Sequence, residues 1–351
     1  MPHPPNTPTR DIVVAAASAG GVEALLTFAG NLPADLQAAI CILLHVLETG
    51  TSLLPNILNR RSALSAAAAV DGQPVEPGRI YVAVPGRHLV LDSGQVRLIA
   101  GPRENGHRPS ADVLFRSAAL AYGARVIGVV LSGADDDGAA GLSHIKRAGG
   151  LAVVQDPKEA LHSRMPESAL GAVKVDYCLP VREIARLVAE LAPARSSLPE
   201  GARVNENAER EPDVHMQNVE APQPGATPAV YTCPECHGTL WELDEGGVLR
   251  FRCRVGHAYT AEHLLSGQSQ EIESAVWMAV RTLEEKAQLS DKLCKRAQSH
   301  GLKYAAQRFE RDSIESLQAA ERLREVLLDG EKSLLAHDGP VAEGESLPAD
   351  G

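Results

Sequence analysis

The stretch that decides the fold is Asp11-Ile-Val-Val-Ala-Ala-Ala-Ser-Ala-Gly-Gly-Val-Glu-Ala-Leu25. Its apolar run, residues 12–17, has the length of a strand that is buried on both faces, and apolar residues then recur at helical spacing. Gly20 and Gly21 between the two patterns permit a sharp turn. The segment therefore predicts the first strand, turn and helix of an α/β sheet, with Ser18 on the bend.

A serine at such a bend is a candidate nucleophile. Its hydroxyl would leave the carboxyl end of the sheet beside the unpaired N–H groups of a helix N-terminus, which suit a developing oxyanion. An anion cradle and a plain structural turn remain open as alternatives. The spaced glycines of a dinucleotide fingerprint and the Gly-Lys-Ser/Thr of a P-loop are both absent. The choice depends on a base and an acid elsewhere in the chain.

Composition narrows the class of protein. The chain has 351 residues, 44% of them hydrophobic, which is enough for one large domain and something smaller. A net charge of -11 without any long block of Lys or Arg argues against nucleic acid as a partner. No apolar run is long enough for membrane insertion, the first ten residues do not resemble a secretory signal, and the six cysteines do not resemble a disulfide framework. We expect a cytoplasmic protein.

The order of apolar patterns predicts an α/β fold with a doubly wound, mainly parallel sheet and an antiparallel edge hairpin near residues 89–100. A small zinc-ribbon-like module and a helical C-terminal segment are expected to follow. The predicted boundaries are the α/β domain at 10–193, a flexible linker at 194–228, the module at 229–260, amphipathic helices at 261–329 and a disordered tail at 330–351.

Three polar residues fall at the carboxyl ends of separate predicted strands: Ser18, His45 and Asp137. In a parallel sheet those ends share one edge, where a histidine can activate a serine and a carboxylate can orient the histidine. Taken singly, His45 could be structural, and Asp136 or Asp137 could cap the helix that begins near Ala139. Their joint occurrence favours catalysis, in an order that differs from the Ser, Asp, His of α/β-hydrolases.

Six ordered motifs between about Ile12 and Leu191 resemble the CheB-type methylesterase family of bacterial chemotaxis. They are Ala17-Ser-Ala-Gly-Gly21, Leu44-His45, Ile80-Tyr-Val-Ala-Val-Pro-Gly-Arg-His88, Arg108-Pro-Ser-Ala-Asp-Val-Leu-Phe115, Val130-Leu-Ser-Gly-x-x-x-Asp-Gly-Ala-Ala-Gly-Leu142, and Gln155-Asp-Pro157 with Met165-Pro166.

The resemblance implies a protein-glutamate methylesterase that hydrolyses γ-glutamyl methyl esters on chemoreceptors, releases methanol and also deamidates glutamines. Ser18 then matches the nucleophile, His45 the general base and Asp137 the acid that orients it. The reaction needs no cofactor, and the partner is a methylated chemoreceptor or a receptor-like protein. Backbone N–H groups of residues 19–21 or of the Gly133 loop are the expected oxyanion donors.

Two features depart from the family pattern. Family members commonly carry Gly-Met-Gly before the variable residue and the orienting Asp, whereas here Gly133 is followed by Ala134 and Asp135. They also typically carry a phosphorylated receiver domain in front, and residues 1–10 are too few for one, so regulation is expected from elsewhere. These departures leave a second hypothesis open, a non-catalytic α/β scaffold or binding module with a partner-binding tail.

The module has metal-ligand spacing. Cys233 and Cys236 form a Cys-x2-Cys pair, Cys253 and His257 form a Cys-x3-His pair, and a predicted hairpin turn at 244–247 would bring the pairs together. Four such ligands indicate a closed structural Zn²⁺ site, with His237 as a rival ligand. Three thiolates and one imidazole around Zn²⁺ leave a net negative charge. Three nearby arginines are expected to offset that charge: Arg250, Arg252 and Arg254.

Two apolar stripes follow at helical spacing, Ile272, Val276, Ala279 and Leu283, then Ile314, Leu317, Ala320, Leu323 and Leu327. They predict two amphipathic helices separated near Ser299-His-Gly301. A helical hairpin and a coiled-coil homodimer contact both fit this pattern.

Overall fold

The computed structural model describes residues 10–46, 52–92, 94–192, 226–245 and 247–335. The chain forms two compact units, Met1–Leu265 and Ser266–Gly351.

The first unit is built on a seven-stranded sheet whose strand pairs are all parallel, in the order β3-β4-β2-β1-β7-β8-β9. Its strands are β1 (Ile12–Ala17), β2 (Ala39–Leu44), β3 (Ser65–Ala68), β4 (Arg79–Val82), β7 (Val126–Val130), β8 (Leu151–Gln155) and β9 (Tyr177–Leu179). The α-helices of this domain are α1 (Gly21–Gly30), α2 (Leu54–Leu58), α3 (Ala111–Tyr122), α4 (Ala139–Arg147), α5 (Arg164–Ala172) and α6 (Val181–Leu191).

The first strand is buried on both faces, as its apolar run predicts. Val14 and Ala16 belong to one hydrophobic cluster, while Val13 and Ala15 belong to the cluster on the other side of the sheet. Helix α1 contributes Leu25 and its neighbours to the second cluster. The predicted strand, turn and helix are therefore confirmed at the centre of the sheet.

The antiparallel hairpin exists, but it is not an edge of the main sheet. Strands β5 (His88–Asp92) and β6 (Gln95–Ile99) pair with each other in a separate two-stranded sheet. Its inner residues, such as Leu89 and Leu91, join the cluster that also holds Phe115 of α3. The alternating apolar residues of the hairpin are buried by packing on a helix. The sequence pattern alone does not distinguish this packing from a place at the edge of the main sheet.

The Cys/His module forms a four-stranded antiparallel sheet with its own small core. Its strands are β10 (Thr227–Thr232), β11 (Thr239–Asp244), β12 (Leu249–Cys253) and β13 (Ala258–Thr260). The predicted hairpin turn joins β11 to β12, and β10 begins two residues before the predicted boundary at residue 229. Of the predicted linker, residues 194–225 lie outside the described residues.

Two long helices complete the chain, α7 (Ala261–Ser299) and α8 (Lys303–Leu335). They run antiparallel, because the Ser313 hydroxyl donates to the Ala287 carbonyl over 3.0 Å and Arg324 pairs with Glu284. The break near Gly301 is confirmed. Helix α8 continues to residue 335, five residues past the predicted start of the tail at 330, and residues 336–351 lie outside the described residues.

The apolar stripes only partly match the buried face of the hairpin. Val280, Ala287 and Ala320 are buried, whereas Ile272, Ile314 and Leu317 are at least half exposed. A stripe drawn from apolar residues alone misses the small and polar residues, such as Ser290 and Ser316, that fill the seam between these helices. Within the part of the chain that is described, no helix combines the length and apolarity needed to span a membrane.

Candidate active site

The carboxyl ends of three neighbouring strands bring the predicted site together. Strand β1 lies between β2 and β7, and Ala17 is paired with Leu44. The N–H of His45 donates to Ala17 over 3.1 Å, and the N–H of Ser18 donates to Ser132 over 2.9 Å. Ser18 and His45 therefore lie on the same edge of the sheet, directly after adjacent strands.

The turn that carries Ser18 needs glycine at two positions. Gly20 has a φ of 69°, and a Cβ there would come within 2.8 Å of Leu161. A Cβ on Gly21 would stand 2.5 Å from that of Ala17. The Ser132 hydroxyl donates to the Ala19 carbonyl over 2.8 Å and holds the turn from the neighbouring strand. Close approach and left-handed backbone thus fix the position of the serine.

Asp137 is bonded to His45 and is fully buried. The His45 Nε2 lies 2.9 Å from Asp137 Oδ2. The carboxylate also accepts the N–H groups of Ala111 and Asp112, at 2.5 and 3.2 Å, so it sits at the N-terminus of α3. Ser110 occupies the N-cap position of that helix, but its hydroxyl donates to Asp137 over 2.8 Å instead of capping.

A second carboxylate binds the other ring nitrogen of His45. Asp135 Oδ2 lies 3.0 Å from His45 Nδ1 and 3.4 Å from His107 Nε2. The rings of His45 and His107 stack 3.7 Å apart and nearly parallel, so their in-plane nitrogens are poorly aimed at one shared metal ion. Both nitrogens of His45 thus face carboxylates, and the Ser18 hydroxyl makes no hydrogen bond to any described residue.

The two carboxylates govern the charge of the imidazole. Burial by itself lowers the pKa of His45, but the hydrogen bonds and charges of Asp135 and Asp137 outweigh it and raise that pKa to about 10. Burial likewise opposes ionisation of both acids, yet hydrogen bonds hold the pKa of each carboxyl below its usual range, from His107 and His45 for Asp135 and from His45 for Asp137. At neutral pH the group is an imidazolium between two carboxylates.

Some of the N–H groups expected to bind an oxyanion already have hydrogen-bond partners, and others do not. The N–H of Gly133 donates to His162 over 3.0 Å, and that of Gly21 donates to Ser18 over 2.9 Å, so both are engaged. The N–H groups of Ala19 and Gly20 bond to no described residue, so the turn after Ser18 keeps two donors free for an oxyanion.

A methionine lies beside the serine, although the methionine expected from the resemblance is replaced by Ala134. A Cβ placed on Gly133 would stand 2.4 Å from Met165 Sδ and 3.0 Å from Ser18 Cβ. Met165 belongs to α5 and is 1% exposed. The absence of a side chain on Gly133 leaves room for both neighbours.

Three features of the site carry no signal in the sequence pattern: His107, Asn105 and the contact of Asp135 with His45. The first two lie in the irregular loop before α3, where no periodic pattern marks a residue as facing the site. For Asp135, the run of three acids was visible, but which carboxylate reaches which nitrogen depends on side-chain placement.

The four residues with metal-ligand spacing also converge. The Nδ1 of His257 lies 3.6 Å from the sulfur of Cys233 and 3.5 Å from that of Cys253, which is 3.6 Å from the sulfur of Cys236. Tetrahedral zinc ligands stand about 3.5–3.8 Å apart. His237, the rival ligand, is not in this cluster. The donor set and its spacing fit a zinc ion.

Comparison with known proteins identifies the α/β domain. Residues 13–188 match the family model described as CheB methylesterase. A protein of Leptospira interrogans is 38% identical over 182 residues, which are 94% of that protein and 52% of this chain. A relative from Anaeromyxobacter dehalogenans, named protein-glutamate methylesterase/protein-glutamine glutaminase 2, is 41% identical over 52% of this chain and 53% of its own length.

Solved structures agree with the sequence comparison. The crystal structure of the Thermotoga maritima CheB methylesterase catalytic domain covers 53% of this chain and is itself covered completely, with a TM-score of 0.51 and 32% identity. The match of a full catalytic domain, together with the relative covered over 94% of its length, settles the family. This chain belongs to the CheB methylesterase family.

Proposed function

We propose that the chain hydrolyses γ-glutamyl methyl esters of a chemoreceptor-like protein through Ser18, His45 and Asp137. The observation that carries this proposal is the pairing of His45 with buried Asp137 on the sheet edge where Ser18 directly follows β1. Relatives named for glutamate methylesterase and glutamine glutaminase activities support it.

The proposed reaction is acyl transfer. Ser18 Oγ attacks the ester carbonyl while His45 takes its proton, and the collapsing intermediate releases methoxide, which leaves as methanol with that proton. Water then attacks the acyl-serine, His45 again acting as base, and frees the glutamate side chain. With a glutamine substrate the leaving group is ammonia. The N–H groups of Ala19 and Gly20 are the proposed oxyanion donors.

One rearrangement is required before the first step. Asp137 binds Nε2 of His45, so Nδ1 is the nitrogen left for the serine, and Asp135 holds it in this structure. Asp135 must release Nδ1, and the Ser18 hydroxyl must turn toward it. Departure of the second carboxylate also lowers the pKa of His45 and so favours the neutral base.

Methanol release from a methylated receptor fragment tests this proposal. The parent chain is expected to release methanol and Ser18→Ala to release none above background, while Ser299→Ala, an exposed serine of α7, retains the parental rate. A fluorophosphonate probe should label Ser18 and no other serine. Equal methanol release from the parent and Ser18→Ala would refute the esterase.

A second candidate function, a non-catalytic binding module, is favoured by one observation. Both nitrogens of His45 are bonded to carboxylates, and the Ser18 hydroxyl makes no hydrogen bond to any described residue. This candidate predicts no phosphonate labelling and no methanol release, together with binding of the receptor fragment that Ser18→Ala leaves unchanged.

We further propose that Cys233, Cys236, Cys253 and His257 hold a structural Zn²⁺. The four ligand atoms lie within 4.8 Å of one another, and Nε2 of His257 lies 3.4 Å from Glu235, a carboxylate suited to orient the ring. A closed set of four protein ligands leaves no open position for chemistry. Bound zinc would cross-link β12 to the loop after β10 and hold the small sheet together.

Metal analysis of the purified chain tests this assignment. About one zinc per chain is expected, and Cys253→Ser should lose it, whereas Cys178→Ser, an exposed cysteine of the α/β domain, should keep it. Parental zinc content in Cys253→Ser would contradict the site.

The partners follow from the family and from the surface. We propose a methylated chemoreceptor as substrate, a cytoplasmic location, and self-association into a homodimer through the C-terminal helices. The helices expose large apolar side chains, among them Ile272, Leu289, Ile314 and Leu317.

A further inference from the structure

The Cys/His module contacts the catalytic domain through a fully buried arginine. Arg250 of β12 pairs with Asp112 of α3, and its second terminal nitrogen lies 2.8 Å from Glu104. Glu104 is also bonded to Arg116 over 2.7 Å. An arginine was expected here to balance the charge of a metal cluster, but this one serves two carboxylates of the neighbouring domain. A buried charge of this kind is retained only with partners that fix its position.

Asp112 links that arginine to the segment carrying the orienting acid. Its Oδ1 accepts the N–H groups of Gly138 and Gly141, at 3.0 and 2.7 Å. Gly138 directly follows Asp137 and is the N-cap residue of α4. Asp112 therefore fixes the backbone immediately beyond Asp137, while Arg250 fixes Asp112.

Asn105 forms a second link between the module and the acid. Its amide nitrogen donates to Asp137 Oδ1 over 3.1 Å and to Asp112 Oδ2 over 2.9 Å. The side-chain oxygen of Asn105 accepts the N–H of Thr260, and the backbone N–H of Asn105 donates to the carbonyl of Ala258. Thr260 and Ala258 both belong to β13. Asn105 is fully buried with a φ of 49°, so contacts with the module hold it in a left-handed conformation.

We propose that Arg250 and Asn105 are positioning residues for the esterase reaction, through which the Cys/His module holds Asp137 in place against His45. The inference rests on the proposed function. It assigns the module a part in catalysis without contact with the substrate. A carboxylate that orients a catalytic histidine loses effect when its own hydrogen bonds are lost.

The test compares full-length variants in methanol release and in fluorophosphonate labelling of Ser18. Arg250→Met is expected to lower kcat and the labelling rate about 10- to 100-fold, with KM within about twofold of the parent. Arg250→Lys keeps the charge without the two-pronged geometry and should recover part of the loss. The matched control is Arg252→Met, because Arg252 lies on the same strand and pairs with Glu104 and Glu245 but not with Asp112.

Metal content and circular dichroism establish that the variants are folded. If Arg250→Met does not fold, Asn105→Gly decides, because glycine accepts the left-handed backbone and the change removes only the amide link; the same loss of kcat is expected. Parental kcat in the folded variant tested, or equal losses in Arg250→Met and Arg252→Met, would overturn the inference. A parent chain no more active than Ser18→Ala would instead mark failure of the proposed function.

Discussion

At the scale of single residues, His45 is the most constrained group of the site. It binds Asp137 through one nitrogen and Asp135 through the other, and His107 stacks on its ring. In the proposed reaction Asp137 orients His45, whereas Asp135 occupies the ring nitrogen that Ser18 would need. We therefore expect the side chain at position 135 to control how much neutral, accessible base exists at a given pH.

Asp135→Asn is expected to raise esterase activity near pH 8. The pKa of His45 is raised to about 10, so at pH 8 only about 1% of the imidazole is neutral, and activity should rise with pH up to that value. Removing the Asp135 charge lowers the pKa of His45. Each unit by which this pKa falls multiplies the neutral fraction of the imidazole at pH 8 about tenfold. The pH dependence of kcat/KM checks this.

The acid limb of that profile should move to lower pH in Asp135→Asn and stay in place in Asp35→Asn, an exposed acid of the loop before β2. An unmoved limb in Asp135→Asn would show that Asp135 does not set the protonation of His45.

Gly133→Ala is expected to abolish most activity. The added Cβ would fall 2.4 Å from Met165 Sδ and 3.0 Å from Ser18 Cβ, so the serine or α5 must shift. We expect a loss of at least about tenfold in kcat and of about 1–3 kcal/mol in the free energy of unfolding. Methanol release and urea denaturation measure the two effects.

Gly171→Ala is the matched control, because a Cβ there meets nothing within 4 Å and the residue lies on α5. It should keep activity and gain about 0.5–1 kcal/mol of stability. Similar activity losses in both variants would argue against a specific clash at Gly133.

At the scale of elements, the five residues of β12 include both a contact with the catalytic domain and a proposed metal ligand. Arg250 reaches into the catalytic domain, and Cys253 at the other end of the strand belongs to the metal-ligand cluster. The pairing of β12 with β11 and β13 keeps these two ends in register. We therefore expect that a well-ordered metal-ligand cluster helps to hold Arg250 in place at the other end of the strand.

Chelation is expected to unfold the small sheet locally. Trp241 lies on β11, opposite Arg252, and should become more exposed when the proposed zinc ion is removed from the strands it would cross-link. A red shift of tryptophan emission in the Trp277→Phe background, where Trp241 is the sole tryptophan, measures this change. Added zinc should reverse it, and the same treatment of Cys253→Ser should cause no further shift. Unchanged emission in the zinc-loaded parent would contradict the prediction.

At the scale of the whole molecule, the surface of the second unit carries exposed large apolar side chains. Large apolar side chains of the second unit, including Leu289 and Leu317, are more than half exposed although the hairpin of α7 and α8 is formed. Such side chains on amphipathic helices are typical of an interface between helices.

The double variant Leu289→Glu with Leu317→Glu is therefore expected to turn a dimer into a monomer. Buried charges at a helical interface cost more than the apolar contacts that they replace. Sedimentation velocity of the parent and the variant checks the mass, with Glu285→Gln as an exposed control on α7. A parent chain that sediments as a monomer would exclude the proposed contact.

Much of this architecture was predictable from sequence because it depends on local pattern. The apolar run of β1, the bend at Ser18 and the spacing of the four metal ligands each lie within a short stretch. Parallel strands then place Ser18 and His45 on one edge without further information. The hairpin of residues 88–99 was predicted as an element, but its packing on α3 was not, because alternation does not specify which surface covers it.

The sequence by itself determined where the central strands end, which polar residues stand at those ends, and which three cysteines share a cluster, since these follow from periodicity and spacing; the choice of His257 over His237 needed the structure. Only the tertiary structure decided that Asp135 occupies Nδ1 of His45 and that Arg250 reaches Asp112, 138 residues earlier in the chain. Such contacts join segments with no common period, and their geometry is set by burial and charge once the chain has folded.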